Sequence, residues 1–405
     1  MNIILIGGDS IMKKIIVFYG AGATYDSNFN VKINTEKPFL PPMDKNFFET
    51  EIIQEIMDDD NYHAIKFFRK LLIPLNSKLS LEDLWSNVSL NLKQLNFKTY
   101  DWRNETQKYL NEHRRYYGEH YPFSDYLTES FTSGPIGNRS TQNTPIYNWK
   151  KFLSDCERDL KRLIYNCYSK ISIENNDCSN YKIMHEIIKD FANLLGYVSF
   201  NYDLALEKSL SNYNYLNVNV DISNPYYIQN SPFDLILKLH GSLNWQSNSS
   251  SNDIIFNDTE IGPEYPTDTL SANTCNEPGI VPPTIFKDII NNKNDENEPL
   301  SRLLFAQWKS VIHLLSEADK VIIIGYSFPL TDYHVHRIFQ IANMLRRNNN
   351  RENQKLLYCA GRESKKDLLV ERLSSITQIR NEDIKIYNKF SKLVQSRTLK
   401  SFLRE

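Results

Sequence analysis

Short apolar runs alternate along this chain with longer amphipathic stretches. The apolar runs consist mainly of Ile, Val, Leu and aromatic residues, a composition typical of strands that are buried on both faces of a parallel sheet. The amphipathic stretches carry apolar residues at intervals of three and four, which predicts helices. The runs that we predict to be strands are 15–19, 197–200, 235–239, 320–324, 356–360 and 384–387.

The order of these elements predicts the fold class. Three predicted helices alternate with the last three strands. The first covers 300–316, the second follows the strand 320–324 and ends at residue 346, and the third covers 365–373. Regular alternation of strands and helices is typical of a parallel sheet that carries helices on both faces. We therefore predict an α/β fold with a doubly wound, Rossmann-like parallel sheet.

A long helical segment interrupts the alternation after the first strand. Apolar spacing predicts helices within 47–108, at 147–169 and at 181–195, and Ser80-Leu81-Glu82-Asp83 looks like a capping box that opens one of them. Residues 116–145 lack periodicity and are predicted to form a long loop. The predicted organisation is a sheet core built from 12–46 and 196–405, with a helical insertion subdomain over 47–195.

Charge and cysteine content bear on where the protein acts. The 405 residues include 47 Lys and Arg against 49 Asp and Glu, and the formal net charge of -2 gives no general reason to expect a nucleic-acid or membrane surface. The five cysteines are scattered without a C-x-x-C pair, which indicates reduced thiols and argues against a structural zinc module. The opening MNIILIGGDS is too short for a signal peptide or a membrane span, and Met12 offers a second start. We expect a cytoplasmic protein.

A glycine-rich turn, Gly20-Ala21-Gly22-Ala23-Thr24, follows the first predicted strand. Gly20 and Gly22 have no Cβ, so the backbone N–H groups can approach a pyrophosphate while the next helix directs the positive end of its dipole towards it. The usual dinucleotide fingerprint is incomplete, because Tyr25 stands at its third glycine and no strand ending in an acidic residue follows about twenty residues later. An ordinary strand-to-helix turn is the alternative interpretation.

Three further predicted strands also end in glycine or polar residues. Ligands of open parallel sheets bind beyond the carboxyl ends of the strands, so these residues are candidates for one common site. Each of these residues also has a purely structural interpretation. The Asp can cap a helix, the His can occupy a core position, and the Gly-x-Ser segment can form a plain turn. The residues are Asn201 and Asp203 after 197–200, His240 after 235–239, and Gly325 and Ser327 after 320–324.

Five strings of residues carry a resemblance to a known family. GAGAT, SFNYD, KLHGSLNW, IVPPT and ADKVIIIGYSFPLTD occur in this order between Ile15 and Asp332. Together they resemble the sirtuin-like NADase domains of bacterial antiphage defence systems, such as the sirtuin-like subunit that pairs with a HerA-type ATPase. The helical insertion and residues 116–145 lie outside the resemblance.

The resemblance implies a role for each residue at the strand ends. It implies that the glycine loop holds the pyrophosphate of NAD, that Asn201 and His240 act on the nicotinamide ribose as the catalytic pair, and that the Gly325 turn meets the adenosine end. Asp203 is expected either to hold the nicotinamide amide or to cap its helix. No metal is expected. The residues that the resemblance assigns to NAD binding are Gly20, Ala21, Gly22, Thr24, Asp203, Gly325 and Ser327.

The function implied by the resemblance is hydrolysis of the nicotinamide–ribose bond of NAD to nicotinamide and ADP-ribose, which depletes NAD in antiphage defence by abortive infection. We expect a homo-oligomer whose partner is a HerA-type ATPase or another phage-sensing activator, with no membrane contact and only indirect contact with nucleic acid. Two other functions are open. One is a non-enzymatic sensor or scaffold that binds NAD or ADP-ribose and controls a partner. The other is a protein deacylase, which is disfavoured because the zinc-binding C-x-x-C pairs of sirtuin deacylases are absent.

Overall fold

The computed structural model describes part of the chain, and the structural statements below refer to that part. Most of the predicted loop 116–145, the segment 95–108 and Pro282-Pro283-Thr284 lie outside it. The described residues are 12–28, 44–58, 62, 64–66, 69, 80–94, 127–128, 146–147, 149–174, 178–215, 233–248, 253–257, 277–281, 299–329, 332–360 and 366–405.

The described strands form one large parallel sheet and two small antiparallel ones. Their bounds are β1 (Lys14–Tyr19), β2 (Leu127–Thr128), β3 (Ile146–Tyr147), β4 (Asn193–Ser199), β5 (Tyr213–Tyr215), β6 (Asp234–Lys238), β7 (Gly241–Asn248), β8 (Asp253–Phe256), β9 (Glu277–Ile280), β10 (Lys320–Ile324), β11 (Lys355–Cys359) and β12 (Ile384–Tyr387). The large sheet has the order β12-β11-β10-β1-β4-β6-β5, and all its neighbours pair in parallel. The small sheets have the orders β2-β3 and β8-β7-β9.

The strand order reverses at β1. Strands β4 and β6 follow on one side of β1, and the chain then crosses to the other side to form β10, β11 and β12. Crevices that bind ligands form at such a reversal, beyond the carboxyl ends of the strands. The predicted α/β fold with a doubly wound parallel sheet is confirmed.

The described part of the chain contains eleven helices. Their bounds are α1 (Ala21–Asn28), α2 (Glu51–Asp58), α3 (Leu81–Gln94), α4 (Trp149–Glu174), α5 (Ser179–Phe191), α6 (Ala205–Ser209), α7 (Pro299–Glu317), α8 (Tyr333–Asn348), α9 (Lys366–Thr377), α10 (Phe390–Val394) and α11 (Arg397–Arg404). None of these described helices is both long and apolar enough to cross a membrane. The 3-10 turns are Asp44–Glu49 and Asn381–Asp383.

Two consecutive aromatic residues of β1 indicate that helices cover both faces of the sheet. The Phe18 ring lies 5.6 Å from that of Phe339 on α8. The Tyr19 ring lies 4.7 Å from that of Tyr181 on α5. Because consecutive strand residues point to opposite faces, α8 and α5 lie on opposite sides of the sheet. Burial on both faces explains why β1 and β10 are continuously apolar after their first residue, a lysine in each, rather than alternating.

The predicted boundary between the helix 181–195 and the strand 197–200 was wrong. The helix predicted to extend to residue 195 ends at Phe191, and β4 begins at Asn193. Leu194 and Leu195 continue the apolar spacing of the helix, because a strand that is buried on both faces has no alternating pattern of its own to mark where it starts.

The helical insertion has its own hydrophobic core. Trp85 of α3, Ile53 of α2 and Leu160 of α4 are buried in it, and Tyr202 and Leu243 join it from the sheet side. Helix α5 belongs instead to the core of the large sheet. The division into 12–46 with 196–405 and a separate 47–195 stays a prediction.

The predicted capping box at the start of α3 is confirmed. The Asp83 N–H donates to the Ser80 hydroxyl at 3.0 Å, and the Ser80 N–H donates back to the Asp83 carboxylate at 3.3 Å. This exchange satisfies two backbone donors that the first turn of a helix otherwise leaves unpaired.

Asp159 makes the stability of the insertion depend on pH. It is 2% exposed, it accepts the Ile65 N–H at 3.2 Å, and burial raises its pKa from 3.8 to about 6. A raised pKa in the folded state means that folding favours the protonated acid, so this stabilisation is complete below pH 3.8 and is lost as the pH rises through about 6. We expect Asp159→Asn, which is neutral and keeps the acceptor oxygen, to stabilise the protein at pH 8 by about 1–3 kcal/mol. Thermal unfolding of both proteins from pH 4 to pH 8 measures this difference, which should vanish at pH 4; equal midpoints at pH 8 would contradict it.

Candidate functional site

Two glycine turns pack against each other where the strand order reverses. The Gly20 N–H donates to the Ile324 carbonyl at 2.9 Å, and the Gly22 N–H donates to the Gly325 carbonyl at 2.9 Å. A Cβ on Gly20 would lie 2.6 Å from the Gly325 oxygen, and one on Gly325 would lie 2.0 Å from the Ala23 nitrogen. The contact between the turns therefore requires glycine at residues 20 and 325, whether or not a ligand binds.

Replacement of Gly325 by alanine is expected to disrupt this junction. Gly325 has φ +66°, which a side chain disfavours, and its Cβ would overlap the backbone of α1. We expect Gly325→Ala to lower the free energy of unfolding by about 3 kcal/mol or more. Urea unfolding measures the loss. Ser327→Ala, in the same turn but with an exposed side chain, should change stability by less than about 0.5 kcal/mol, and equal losses in the two variants would contradict the proposed clash.

The side-chain amide of Asn201 joins the end of β4 to the first glycine turn. Its Nδ2 donates to the Gly20 carbonyl at 3.1 Å and to the Thr24 hydroxyl at 3.0 Å. The Thr24 hydroxyl donates to Asp203 Oδ2 at 2.9 Å and lies 3.0 Å from the Tyr181 hydroxyl. Asn201 Oδ1 is buried, and the described residues offer it no hydrogen-bond partner. Because a buried acceptor without a partner is costly, this oxygen is suited to a ligand hydroxyl or a water.

Thr24 and Asp203 are tied into the protein by these bonds. They are 2% and 5% exposed. Asp203 Oδ1 also accepts the N–H of Ala205, the first residue of α6, at 3.0 Å, although the N-cap position of this helix is Leu204. Burial, with a contribution from the Asp203 charge, raises the pKa of Tyr181 well above its ordinary value, so its hydroxyl stays protonated. Contact of Thr24 and Asp203 with NAD stays a prediction.

A buried ion pair fixes the backbone beside Asn201. Lys238 Nζ lies 3.0 Å from Glu207 Oε1 and donates to the Asp203 carbonyl at 2.6 Å, and neither charged side chain is exposed. Glu207 Oε1 also accepts the Tyr215 hydroxyl at 2.8 Å. The pair therefore connects β6, α6 and the turn that carries Asn201.

His240 follows β6 and lies against the aromatic residues of the neighbouring strand ends. Its ring centroid is 5.5 Å from that of Phe200, and Phe200 stacks on Tyr326 at 4.0 Å and 12°. Tyr326 lies against the first glycine turn, since a Cβ on Gly20 would be 2.8 Å from Tyr326 Cβ. The structure thus brings His240 and Asn201 to the carboxyl ends of two adjacent strands, and a stack of two rings connects the imidazole to the glycine junction.

The backbone around His240 is closely constrained. The His240 carbonyl accepts the Val281 N–H at 2.8 Å, and the preceding carbonyl, that of Leu239, accepts the Trp308 indole N–H at 3.2 Å. Gly241 has φ +81°, and a Cβ there would lie 1.9 Å from the Gly279 oxygen. The LHG string therefore needs its glycine for backbone packing.

Ala21 and Ser327 lie on the two turns with exposed side chains. Arg372 Nη2 donates to the Ser327 carbonyl at 3.1 Å, and the Tyr358 hydroxyl donates to the Tyr326 carbonyl at 2.8 Å. These bonds hold the second turn through its carbonyls. Roles of Ala21 and Ser327 in binding stay predictions.

Asp332 is a residue of this site that sequence reasoning missed. Its Oδ1 lies 3.8 Å from His240 Nε2, and its Oδ2 accepts the Tyr326 hydroxyl at 2.5 Å. It ends the string IGYSFPLTD, which was the available signal. Nothing in the sequence relates this position to His240, because the pairing depends on how β6 and β10 are arranged in the sheet.

The described residues contain no group of three or more His, Cys, Asp or Glu side chains that could hold a metal ion. The described cysteines are free thiols, and burial raises the pKa of Cys359 to about 12.

Solved structures of Sir2 homologues align with this chain at low similarity. The sequence matches no protein-family profile and no curated protein. A Sir2 homologue in complex with NAD is 12% identical, over 62% of this chain and 76% of that one, with a TM-score of 0.35. A serine-to-alanine variant of a Sir2 homologue in complex with ADP-ribose is 10% identical, over 97% of this chain and 92% of that one, with a TM-score of 0.40. Sir2Tm bound to a propionylated peptide is 11% identical, over 63% and 83%, with a TM-score of 0.35. At these values the alignments carry no argument about activity.

Proposed function

We propose that this protein is an NAD glycohydrolase, which cleaves the nicotinamide–ribose bond of NAD to give nicotinamide and ADP-ribose. The observation that carries the proposal is the placement of Asn201 and His240 on adjacent strand ends beside the glycine junction, with a buried Asn201 oxygen that has no hydrogen-bond partner among the described residues. Buried amide oxygens usually have a hydrogen-bond partner, so this oxygen is a candidate acceptor for a substrate hydroxyl or a water. The resemblance of the five sequence strings supplies the identity of the dinucleotide.

The residues present fit a dinucleotide at the switch point of the sheet. Under the proposal, the pyrophosphate lies at the start of α1 beside Gly20, Ala21, Gly22 and Thr24, where the helix dipole favours negative charge. The N–H groups of Gly20 and Gly22 already donate to the carbonyls of Ile324 and Gly325, so these two glycines contribute close approach of the backbone and not donors. Gly325 and Ser327 meet the adenosine end. Asp203 supports the nicotinamide end, either directly or through its bond to Thr24.

The proposed chemistry is a substitution at the anomeric carbon of the ribose. The bond from this carbon to the nicotinamide nitrogen breaks, its electron pair leaves with nicotinamide, and a water oxygen bonds to the same carbon. His240 accepts the proton from that water or from a ribose hydroxyl, because an imidazole with an ordinary pKa near 6.5 is a suitable general base at neutral pH. Asn201 Oδ1 orients the ribose hydroxyl or the water by accepting a hydrogen bond.

Uncontrolled loss of NAD kills a cell, so an NAD glycohydrolase needs a control on its activity. By the same resemblance we place this activity in antiphage defence by abortive infection, in a homo-oligomer that a HerA-type ATPase or another phage-sensing partner activates. The absence of C-x-x-C pairs makes a deacylase the weaker proposal.

Chromatographic detection of nicotinamide and ADP-ribose tests the proposed function. The purified full chain is incubated with NAD, alone and with a HerA-type ATPase, and separately with NAD and an acetyl-lysine peptide. We expect nicotinamide and ADP-ribose in equal amounts without any peptide. NAD binding without nicotinamide release in every arm would favour the sensor function. Nicotinamide release that requires the peptide and yields the free lysine would favour the deacylase.

A further inference from the structure

Asp332 occupies the N-cap position of α8, but its side chain makes no capping hydrogen bond. An Asp at this position ordinarily accepts a backbone N–H from the first helical turn, which stabilises the helix. Here one carboxylate oxygen accepts the Tyr326 hydroxyl at 2.5 Å, and the other lies 3.8 Å from His240 Nε2. The carboxylate is therefore directed at the imidazole and not at the end of its own helix.

Burial strengthens the electrostatic interaction between the Asp332 carboxylate and the His240 ring. The side chains of His240 and Asp332 are only 7% and 5% exposed. A separation of 3.8 Å is longer than a hydrogen bond, but in a poorly solvated setting it is short enough for strong attraction between a carboxylate and a protonated imidazole. The Tyr326 hydroxyl holds the second oxygen, so the carboxylate has a defined orientation.

Among the described residues, other titratable groups in this part of the protein are two tyrosines, Glu82 and His336, whose pKa burial and the Arg372 charge lower and the Asp332 charge raises. The Tyr202 ring centroid lies 6.2 Å from that of His240. Burial raises the pKa values of Tyr202 and Tyr326 well above 10, so both are neutral near pH 7. The charge of Glu82, a buried residue at the start of α3, also raises both pKa values. Asp332 is the carboxylate at ion-pair distance, and Glu82 is the natural control for it.

We infer that Asp332 is the positioning residue for His240 in the reaction that the proposed function assigns to this site. The proton that leaves a water or ribose hydroxyl goes to the imidazole ring of His240, which becomes an imidazolium. Asp332 stays ionised and offsets this positive charge, and no proton passes to it. The carboxylate thereby makes His240 a stronger base and holds its ring towards the strand ends. This inference rests on the proposed function for its role in catalysis, but the coupling of the two side chains can be measured without NAD.

Titration of the His240 ring by NMR tests the coupling. The full chain is labelled at histidine with ¹³C and ¹⁵N, and the His240 signal is assigned by its absence from the spectrum of His240→Gln. We expect Asp332→Asn to lower the pKa of His240 by about one pH unit, and Glu82→Gln to lower it by clearly less. An unchanged pKa in Asp332→Asn, or an equal or larger shift in Glu82→Gln, would overturn the inference. Asp332→Ser keeps an acceptor for Tyr326 and a capping hydroxyl for α8, and it gives the same test where the asparagine variant is unstable.

Kinetics separate this inference from the proposed function. If NAD is cleaved, Asp332→Asn should lower kcat about tenfold or more, leave KM within about twofold, and move the acidic limb of the pH–rate profile to lower pH. NAD cleavage with an unchanged His240 pKa and an unchanged profile would retain the proposed function and overturn the inference. A shifted pKa in a protein that never cleaves NAD would retain Asp332 as the partner of His240 and overturn the proposed function.

Discussion

His240→Ala should lower the rate of nicotinamide release from NAD by about 10³-fold or more while the protein still folds and binds NAD. A positioned general base contributes about 10²–10⁴-fold. Two other imidazoles follow the end of β10, and they lie against other rings: His334 against Trp308 and His336 against Phe328. The two glycine turns contact each other through backbone groups, so loss of the imidazole leaves their junction intact. The rate is measured by chromatography of nicotinamide, and NAD binding is measured by calorimetry.

Asn201→Ala should lower the same rate by about 10²–10³-fold, because the amide positions a reacting hydroxyl. It should also lower the unfolding midpoint, since the bonds from Nδ2 to Gly20 and Thr24 are lost. Asn201→Asp tests the chemistry separately, because it keeps the size of the side chain but removes the donor.

Matched substitutions outside the site control for nonspecific effects. His313→Ala on α7 and Asn348→Ala at the end of α8 remove the same groups elsewhere, and both variants should retain wild-type rates. Wild-type turnover in either His240→Ala or Asn201→Ala would exclude the proposed role of that residue.

Lys238→Met should destabilise the protein by about 3–5 kcal/mol, the usual effect of leaving one charge of a buried pair without its partner. Glu207 would then carry a charge in a place with no exposure to solvent, and the Asp203 carbonyl would lose its 2.6 Å donor. Urea unfolding followed by circular dichroism measures the loss. Because the Asp203 turn also carries Asn201, the NAD cleavage rate should fall as well.

A double-mutant cycle isolates the ion pair from the loss of volume. Lys238→Met with Glu207→Leu should recover much of the stability that either substitution alone removes, since no unpaired charge stays buried. Lys385→Met breaks the half-exposed pair with Glu405 and should change stability by less than about 1 kcal/mol. If Lys238→Met is as mild as Lys385→Met, the buried pair does not hold the Asn201 turn.

The strands of the sheet could be predicted from the sequence because their signal is local. The runs 320–324, which is apolar after Lys320, and 384–387 have the predicted bounds. The end of α5 could not be placed, since Leu194 and Leu195 suit a helix and a buried strand equally. The composition of a segment distinguishes buried residues from exposed ones, but it does not distinguish a buried helix from a buried strand.

The candidate site, like the fold, could be predicted only in part from the sequence. The candidates at the ends of β1, β4, β6 and β10 could be named because a buried run that stops at a glycine or a polar residue is visible in the chain. The partners of those residues could not be named. In the sequence Asp332 is the last residue of a string, and Thr24 ends a glycine loop that is expected to bind NAD. Neither fact reveals that the Thr24 hydroxyl connects Asn201, Asp203 and Tyr181.

The sequence by itself determined that this chain forms a parallel α/β sheet with a helical insertion, and that glycine, amide and imidazole groups follow its strands. Both could be predicted because burial and turn formation depend on residues that are neighbours in the chain. Only the tertiary structure decided that Gly20 must be glycine because Gly325 packs on it, and that Asp332 faces His240. These contacts join residues that are far apart in the chain, and they exist because the strand order reverses at β1 and brings β10 beside it.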